Sequence, residues 1–375
     1  MSTIIETIEP IPFRLSLRDP LRWGAASVMQ EARHVLVQVR LSDGAVGWGE
    51  APPRPTIYGE TVASICSVIR QEMAPRLVGE LVDDSTLSSL YGRLQTVKNN
   101  QTARGALDMA LHHALAKSRN RTLYEHLGAS RSQVRVSYIL GLGDMDESLA
   151  EAERIVAQGV RVLKVKVGQN WGADLQRLQL LREQFGEKVD LYVDANECFQ
   201  PQNVRQRLQK MAELNVLYCE EPLPVELILA RAALRKACAR AGDSALPLLI
   251  ADDSVFSARD LRREMSMDTF HILNIKTART GFTESAQMLN QALVGGKAVM
   301  VGSQASAGWG TVQAALFAAR PGIDLPCELS FFLKLQEDLL TRPPTLRDGY
   351  LDVSALAQAE IDPDRLRDAR LKEMP

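Results

Sequence analysis

The sequence predicts an α/β chain, a (β/α)8 barrel preceded by a smaller α+β unit. Three observations carry this. Short apolar stretches recur eight times between residues 134 and 329, and amphipathic stretches long enough for crossover helices lie between them. The first 130 residues lack that rhythm. No GxGxxG follows the first strand of the series, which disfavours a doubly wound open sheet. A chain of 375 residues has room for one large domain and a smaller one.

Residues 1–60 read as strands. "HVLVQVRLSDGAVGWGEA" alternates apolar and polar residues on both sides of Asp43-Gly44, the turn of a hairpin. Residues 60–127 read as helices, because "TVASICSVIRQEMAPRL" and "TARGALDMALHHALAKSRN" place apolar residues three and four apart. The strands of the barrel follow: 134–140, 160–167, 189–195, 216–221, 247–253, 270–276, 297–303 and 323–329. Helices such as "DLQRLQLLREQF" and "PQNVRQRLQKMAEL" separate them. The last 30 residues are expected to return to the N-terminal unit.

Composition excludes several function classes. A net charge of -2 gives no reason to expect nucleic acid or an anionic membrane as partner. No apolar run approaches the length of a membrane span. "MSTIIETIEPIPF" carries Glu6 and Glu9 and no basic segment ahead of an apolar one, so it is a poor signal peptide. The five cysteines (66, 198, 219, 238 and 327) are scattered without a CxxC pair. They point to a reducing cytoplasm and to neither a disulfide framework nor a zinc site. His112 and His113 fall in a helical stretch and read as packing or surface residues.

The chemistry begins in "VLKVKVG", residues 162–168. A strand alternates sides, so Leu163, Val165 and Val167 share one face while Lys164 and Lys166 share the other. Alone, this is a half-exposed strand with solvated lysines. In a barrel, the apolar face packs outward on helices and the lysines enter the mouth. The next three strands end in acids: "YVDAN" in Asp194, "YCEEP" in Glu220 and "IADDS" in Asp252. One such acid is often a helix N-cap. Three in consecutive strands suit an oxygen-ligated hard cation, and Mg²⁺ fits best. The following strand ends in "NIKTARTG" and supplies Lys276, on the wall opposite the first two lysines. A lysine among other cations and partly desolvated has a lowered pKa and can act as a base. The metal would hold a carboxylate and stabilise the enediolate formed when its α-proton leaves.

With "KVK" at 164–166, "VDAN", "EEP", "ADDS" and "NIK" taken together, the chain resembles the enolase superfamily, within the muconate lactonizing enzyme subgroup. The resemblance implies an α+β capping domain over 1–130, a modified (β/α)8 TIM barrel over 131–345 and a C-terminal segment, 346–375, returning to the capping domain. It implies Mg²⁺, with Mn²⁺ as a possible substitute, on Asp194, Glu220 and Asp252. Lys166 would be the base, Lys164 would tune it and contact the substrate carboxylate, and Lys276 would be the second acid/base. No histidine stands at the sixth or seventh strand for the mandelate racemase branch. The usual Asp-Glu after the fifth strand is Asp252-Asp253 here, so Asp253 would contact Lys276 less directly. Dipeptide epimerases carry Asp-x-Asp on the last strand, where this chain has Asp324 and Pro326. Glu328 in "CELSFFLKL" resembles muconate cycloisomerases.

Two loops of the capping domain, 17–30 and 51–60, would close over the barrel and offer Arg22, Trp23, Arg54 and Tyr58 to substrate. Asn196, and Gln304, Ser306 and Trp309 of "GSQASAGWGT", are further candidates for the pocket. The expected activity is Mg²⁺-dependent proton transfer at the α-carbon of a small carboxylate, racemising or epimerising an amino-acid derivative. Muconate-type cycloisomerisation, syn-dehydration and a catalytically silent binding protein are the alternatives. A cytoplasmic homo-oligomer is the expected form.

Overall fold

The computed structural model describes residues 3–23, 27–141, 143–239 and 246–372. The N-terminal unit is a four-stranded sheet in the order β3-β2-β1-β4, made of β1 (Thr3–Trp23), β2 (Ser27–Leu41), β3 (Val46–Ala51) and β4 (Leu81–Val82). The β2–β3 hairpin turns at Asp43-Gly44, where Gly44 adopts φ 89° and the Asp43 carboxylate accepts from Ala45 N. The helix Gln101–Ser118 packs on this sheet. Its approach is close: a Cβ on Gly49 would lie 1.9 Å from the Ala106 carbonyl oxygen, so a side chain there would push the layers apart. Of the segment 17–30, expected to be a loop, residues 17–23 instead extend β1 and residues 27–30 begin β2, paired antiparallel, while 24–26 lie outside the described residues.

A short strand, β5 (Gln133–Arg135), precedes the barrel. The barrel strands are β6 (Tyr138–Leu140), β7 (Val162–Lys166), β8 (Asp190–Asp194), β9 (Val216–Glu220), β10 (Leu248–Ala251), β11 (Ile272–Ile275) and β12 (Ala298–Val301). All are parallel, in the order β12-β11-β10-β9-β8-β7-β6. Alternation sorts their side chains as expected. Leu163, Val165 and Val167 pack with Leu178 and Leu181 of an outer helix. Val162, on the lysine face, joins Tyr192, Ile250, Ile272 and Met300 in a layer that fills the lumen beneath the site.

Two strand expectations need correction. The stretch 134–140 divides: β5 pairs antiparallel with residues Tyr350–Asp352 near the C-terminus, and only β6 enters the barrel. The stretch 323–329 is no strand. It closes the ring between β12 and the chain around 135–137 through one parallel bridge, Val136–Cys327, and the bonds Ser137 N to Cys327 O and Glu328 N to Val301 O. Pro326 has no N–H to donate, which denies this segment a regular ladder. The C-terminal segment also does two things. β13 (Leu346–Arg347) pairs with β14 (Tyr350–Asp352), which pairs with β5, while the helix Pro363–Ala369 packs against β1 and Arg370 and Leu371 bond to it at Phe13 and Pro12. No helix among the described residues is long and apolar enough to cross a membrane, and all five cysteines are free.

Candidate active site

Register alone assembles the site. Lys166 pairs with Asp194, and Asp194 with Glu220, so three neighbouring strands end level with one another. Each of these ends on its inward-facing residue, the last position before the chain turns away.

The resulting cluster is almost wholly charged and buried. Lys164 Nζ donates to Glu220 Oε1 at 2.8 Å and Glu328 Oε1 at 2.6 Å and lies 2.9 Å from Asp194 Oδ2. Lys166 Nζ donates to Asp194 Oδ2 at 2.5 Å and to Asn196 Oδ1 at 2.7 Å. Lys276 Nζ donates to Asp252 Oδ2, and Arg279 lies 3.2 Å from Asp252 Oδ1. Asn196 (φ 38°), Glu197 (φ 65°) and Glu221 (φ 35°) hold left-handed backbone just past the strand ends, a strained conformation for non-glycine residues.

Electrostatics overturn one expectation. Lys164 and Lys276 do not have lowered pKa values in this arrangement. Burial pulls Lys164 down, but Asp194, Glu220 and Glu328 outweigh it and hold the ammonium well above its ordinary range. Lys276 is likewise raised, since Asp252 and Asp253 outweigh burial. The carboxylates divide. Against the cost of burial, Lys164 and Lys166 hold Asp194 below its usual range, and Lys276 and Arg279 push Asp252 down to about 2. Glu220 is driven well above its usual range by burial and by the neighbouring Asp194.

The donor set fits a divalent cation in its chemistry: three buried carboxylates, oxygen only, on consecutive strands. Asp252 Oδ1 is buried without a hydrogen bond. Among the described residues no three His, Cys, Asp or Glu side chains stand close enough to hold an ion as they are. Positive charge comes instead from Lys164 and Lys276, seated between and against these acids.

A cavity of about 350 Å³ opens over the cluster. It contains Lys164, Lys166, Lys276, Asp194, Asp252, Asp253, Asn196 and Glu328, and its upper wall includes Arg54, Thr56, Ile57 and Gln304. A larger groove, about 1110 Å³, holds none of the strand-end lysines or acids. Three candidates stand away from the lining. Tyr58 packs its ring on Phe256 at 5.2 Å. Ser306 is buried against Gly310. Trp309 lies over His113 at 5.0 Å. The side chains of Arg22 and Trp23 lie outside the described residues. Asp253 faces Arg279 at 3.9 Å. Asp324 is exposed at the surface, paired with Arg131.

Two residues went unnoticed in the sequence. Asn274, fully buried, donates to Glu220 Oε2 at 3.3 Å. It stands two residues before Lys276 on β11, so the alternation that selected the lysines could have selected it. Gly302 makes room for it, since a Cβ there would lie 2.2 Å from Asn274 Oδ1. Arg279, also fully buried, braces Asp252 from the first turn of the next helix, where no spacing rule points to it.

Comparison with known proteins agrees with this geometry. Residues 147–358 match the enolase C-terminal domain-like family, and residues 10–128 match the mandelate racemase / muconate lactonizing enzyme N-terminal domain. This chain belongs to the mandelate racemase/muconate lactonizing enzyme family of the enolase superfamily. An L-Ala-D/L-Glu epimerase of Bacillus subtilis is 31% identical over 316 residues, covering 83% of this chain and 84% of that protein. An N-succinylamino acid racemase of Thermus thermophilus is 28% identical over 344 residues, 90% of each. A muconate lactonizing enzyme from Mucobacterium smegmatis, solved with muconolactone, superposes with a TM-score of 0.90 at 36% identity, covering 98% of this chain and 100% of that one. This family member is an enzyme, an isomerase on a modified TIM barrel, and membership generally implies a divalent metal.

Proposed function

We propose that this enzyme transfers the α-proton of a small carboxylate, racemising or epimerising an amino-acid derivative through an enediolate. The observation that carries the reading is the placement of Lys166 and Lys276. They end β7 and follow β11, strands separated by β8, β9 and β10 and thus on opposite walls of the pocket. A flat enediolate between them can lose a proton to one face and regain one from the other.

Asp194, Glu220 and Asp252 would hold the cation. When bound, Mg²⁺ supplies positive charge to the substrate carboxylate as negative charge builds on it. With a cation on them, these protein carboxylates would loosen their hold on Lys166 and Lys276, so that one amine could act as base while the other stays protonated. In one direction Lys166 takes the proton from the α-carbon while Lys276 delivers its own to the other face. The reverse direction exchanges the roles. Lys164 adds fixed positive charge beside the substrate carboxylate, and Asn196 holds Lys166 in place from Oδ1 at 2.7 Å.

A second reading, muconate-type cycloisomerisation, is favoured by the 36% identity to a muconate lactonizing enzyme across 98% of the chain. It needs only one of the two lysines as a proton carrier. A screen in D₂O separates the two readings. N-acyl amino acids, dipeptides, proline betaines and muconates are incubated with enzyme and Mg²⁺ and followed by mass spectrometry and chiral chromatography. α-Deuteration with loss of optical purity supports proton transfer at both faces. Lactone formation without racemisation of any amino-acid derivative would replace it with the second reading.

A further inference from the structure

We propose that Arg231, acting through Glu221, is a positioning residue for the cation site: the pair sets the spacing of the strand ends that carry Asp194, Glu220 and Asp252. The inference rests on the reading that those three acids bind Mg²⁺.

Glu221 follows Glu220 directly and reaches both neighbouring strand ends. Its carbonyl oxygen accepts from Glu197 N at 2.7 Å, just past Asp194 at the end of β8. Its own N–H donates to Ile250 O of β10 at 3.1 Å. Its side-chain Oε1 accepts from Asp252 N at 2.6 Å, Ser254 N at 2.9 Å and Ser254 Oγ at 2.5 Å. One residue thus ties together the ends of β8, β9 and β10, the strands that carry the acids. It does so at φ 35°, a backbone conformation that persists only where surrounding bonds over-determine it. The remaining oxygen, Oε2, accepts from Arg231 Nη2 at 3.1 Å. Arg231 stands on the helix Ile228–Ala239, and its Nη1 donates to Glu264 Oε2 on the helix Ala258–Met267 at 2.7 Å. Glu221, Arg231 and Glu264 are all buried, and none of them lines the catalytic cavity.

The charge balance makes Arg231 more than a brace between two helices. Glu264 has a second cation, Arg263 at 3.0 Å, and accepts from Thr269 Oγ1 at 2.6 Å. Among the described residues Arg231 is the only cation paired with Glu221, and the other donors to its side chain are neutral. Without Arg231 that carboxylate becomes a buried charge without a counter-charge, a costly state. It escapes the cost by turning away, and Asp252 N and Ser254 then lose their acceptor. Mg²⁺ demands near-ideal octahedral ligation at about 2.0–2.1 Å, so it tolerates little drift of a ligand strand. Loss of a residue that orients metal ligands typically weakens metal binding by roughly 10–100-fold.

The test is titration calorimetry of Mg²⁺ into metal-free enzyme, well below the melting temperature of each variant. Arg231→Met should raise the Kd for Mg²⁺ roughly tenfold or more while the number of sites per chain stays that of the wild type. Unfolding of part of the sample would lower the number of sites instead. Adding Glu221→Gln to Arg231→Met removes the stranded charge, keeps an oxygen for Asp252 N and Ser254, and should recover part of the affinity. Where Arg231→Met does not fold, Arg231→Lys carries the test: it keeps the charge but loses the fork that spans Glu221 and Glu264, and its Kd should rise severalfold. An unchanged Kd in Arg231→Met, or in Arg231→Lys where only that variant folds, would overturn the proposal and leave Arg231 a brace whose loss lowers the melting temperature alone. Failure of Glu221→Gln to recover any affinity would overturn it too, since Arg231 would then not act through Glu221. A wild type that takes up no Mg²⁺ is a distinct failure: it removes the three acids as ligands, and this inference with them.

Discussion

Replacing Lys164 with Met keeps most of the side-chain bulk and removes the one ammonium that touches three buried carboxylates. The consequences differ by residue. Asp194 retains Lys166 at 2.5 Å and Asn196 N at 2.9 Å. Glu328 retains Tyr192 at 3.2 Å and Ser303 N at 3.3 Å. Glu220 keeps only the Asn274 amide at 3.3 Å, and it already titrates far above its usual range. Stranding a buried charge in this way costs about 3–5 kcal/mol of unfolding free energy. The loss has a pH signature. A carboxyl whose folded pKa is raised binds more protons when folded than when unfolded, so the deficit is largest at high pH and shrinks as pH falls and the carboxyl protonates. Urea unfolding followed by circular dichroism, in EDTA, should show the full loss relative to wild type at pH 8 and a smaller one at pH 5.5. Glu220→Gln in the same chain should recover much of it. A loss below about 1 kcal/mol, or the same loss at both pH values, would refute the picture of a lysine neutralising a carboxylate cluster.

Glu220→Gln alone relieves repulsion among the acids, so its melting temperature in EDTA should match or exceed that of wild type while the rise on adding Mg²⁺ disappears; a retained rise would remove Glu220 from the ligand set. Glu50→Ala strands His34 Nδ1 and the N–H groups of Ala307 and Gly310 that open the helix Gly308–Ala318, and should cost about 3 kcal/mol or more in urea, with a loss under about 1 contradicting the clamp. His113 is pushed down to about 3 by burial, while Trp48 N donates to its Nδ1. Its contribution to stability is complete above the unfolded pKa and is lost as pH falls toward the folded one. His113→Gln should therefore reduce the slope of stability against pH between 6 and 4.5 by about 1.4 kcal/mol per pH unit, and an unchanged slope would reassign the acid sensitivity to His112 and His126.

The chemistry was legible because it is written in period two. Lys164 and Lys166, flanked by Leu163, Val165 and Val167, could only face the lumen once the strands formed a barrel, and Asp194 and Glu220 at the ends of their strands mark the same rim. Closure of the ring by 323–329 was less legible, because a segment containing Pro326 makes single hydrogen bonds where its neighbours make ladders. The walls above the rim were hardly legible. Ser306 and Trp309 sit in a Gly-rich stretch that turns them into the protein, and nothing local distinguishes them from Gln304, which reaches the pocket. The sequence named the charges at the site and left their pairing open. Three lysines near one another suggested lowered pKa values, but acids 2.6 to 2.9 Å from Lys164 set the opposite direction for it.

The central claim is that Lys166 and Lys276 serve opposite faces of one substrate. The direct measurement is α-proton exchange in D₂O for each enantiomer separately, with the wild type, Lys166→Ala and Lys276→Ala, on a substrate that the wild type racemises. The account predicts that each variant exchanges the α-proton of one enantiomer only, with opposite selectivity, and that neither interconverts the two. Full racemisation by Lys276→Ala would contradict it and leave Lys276 an electrostatic partner of Asp252.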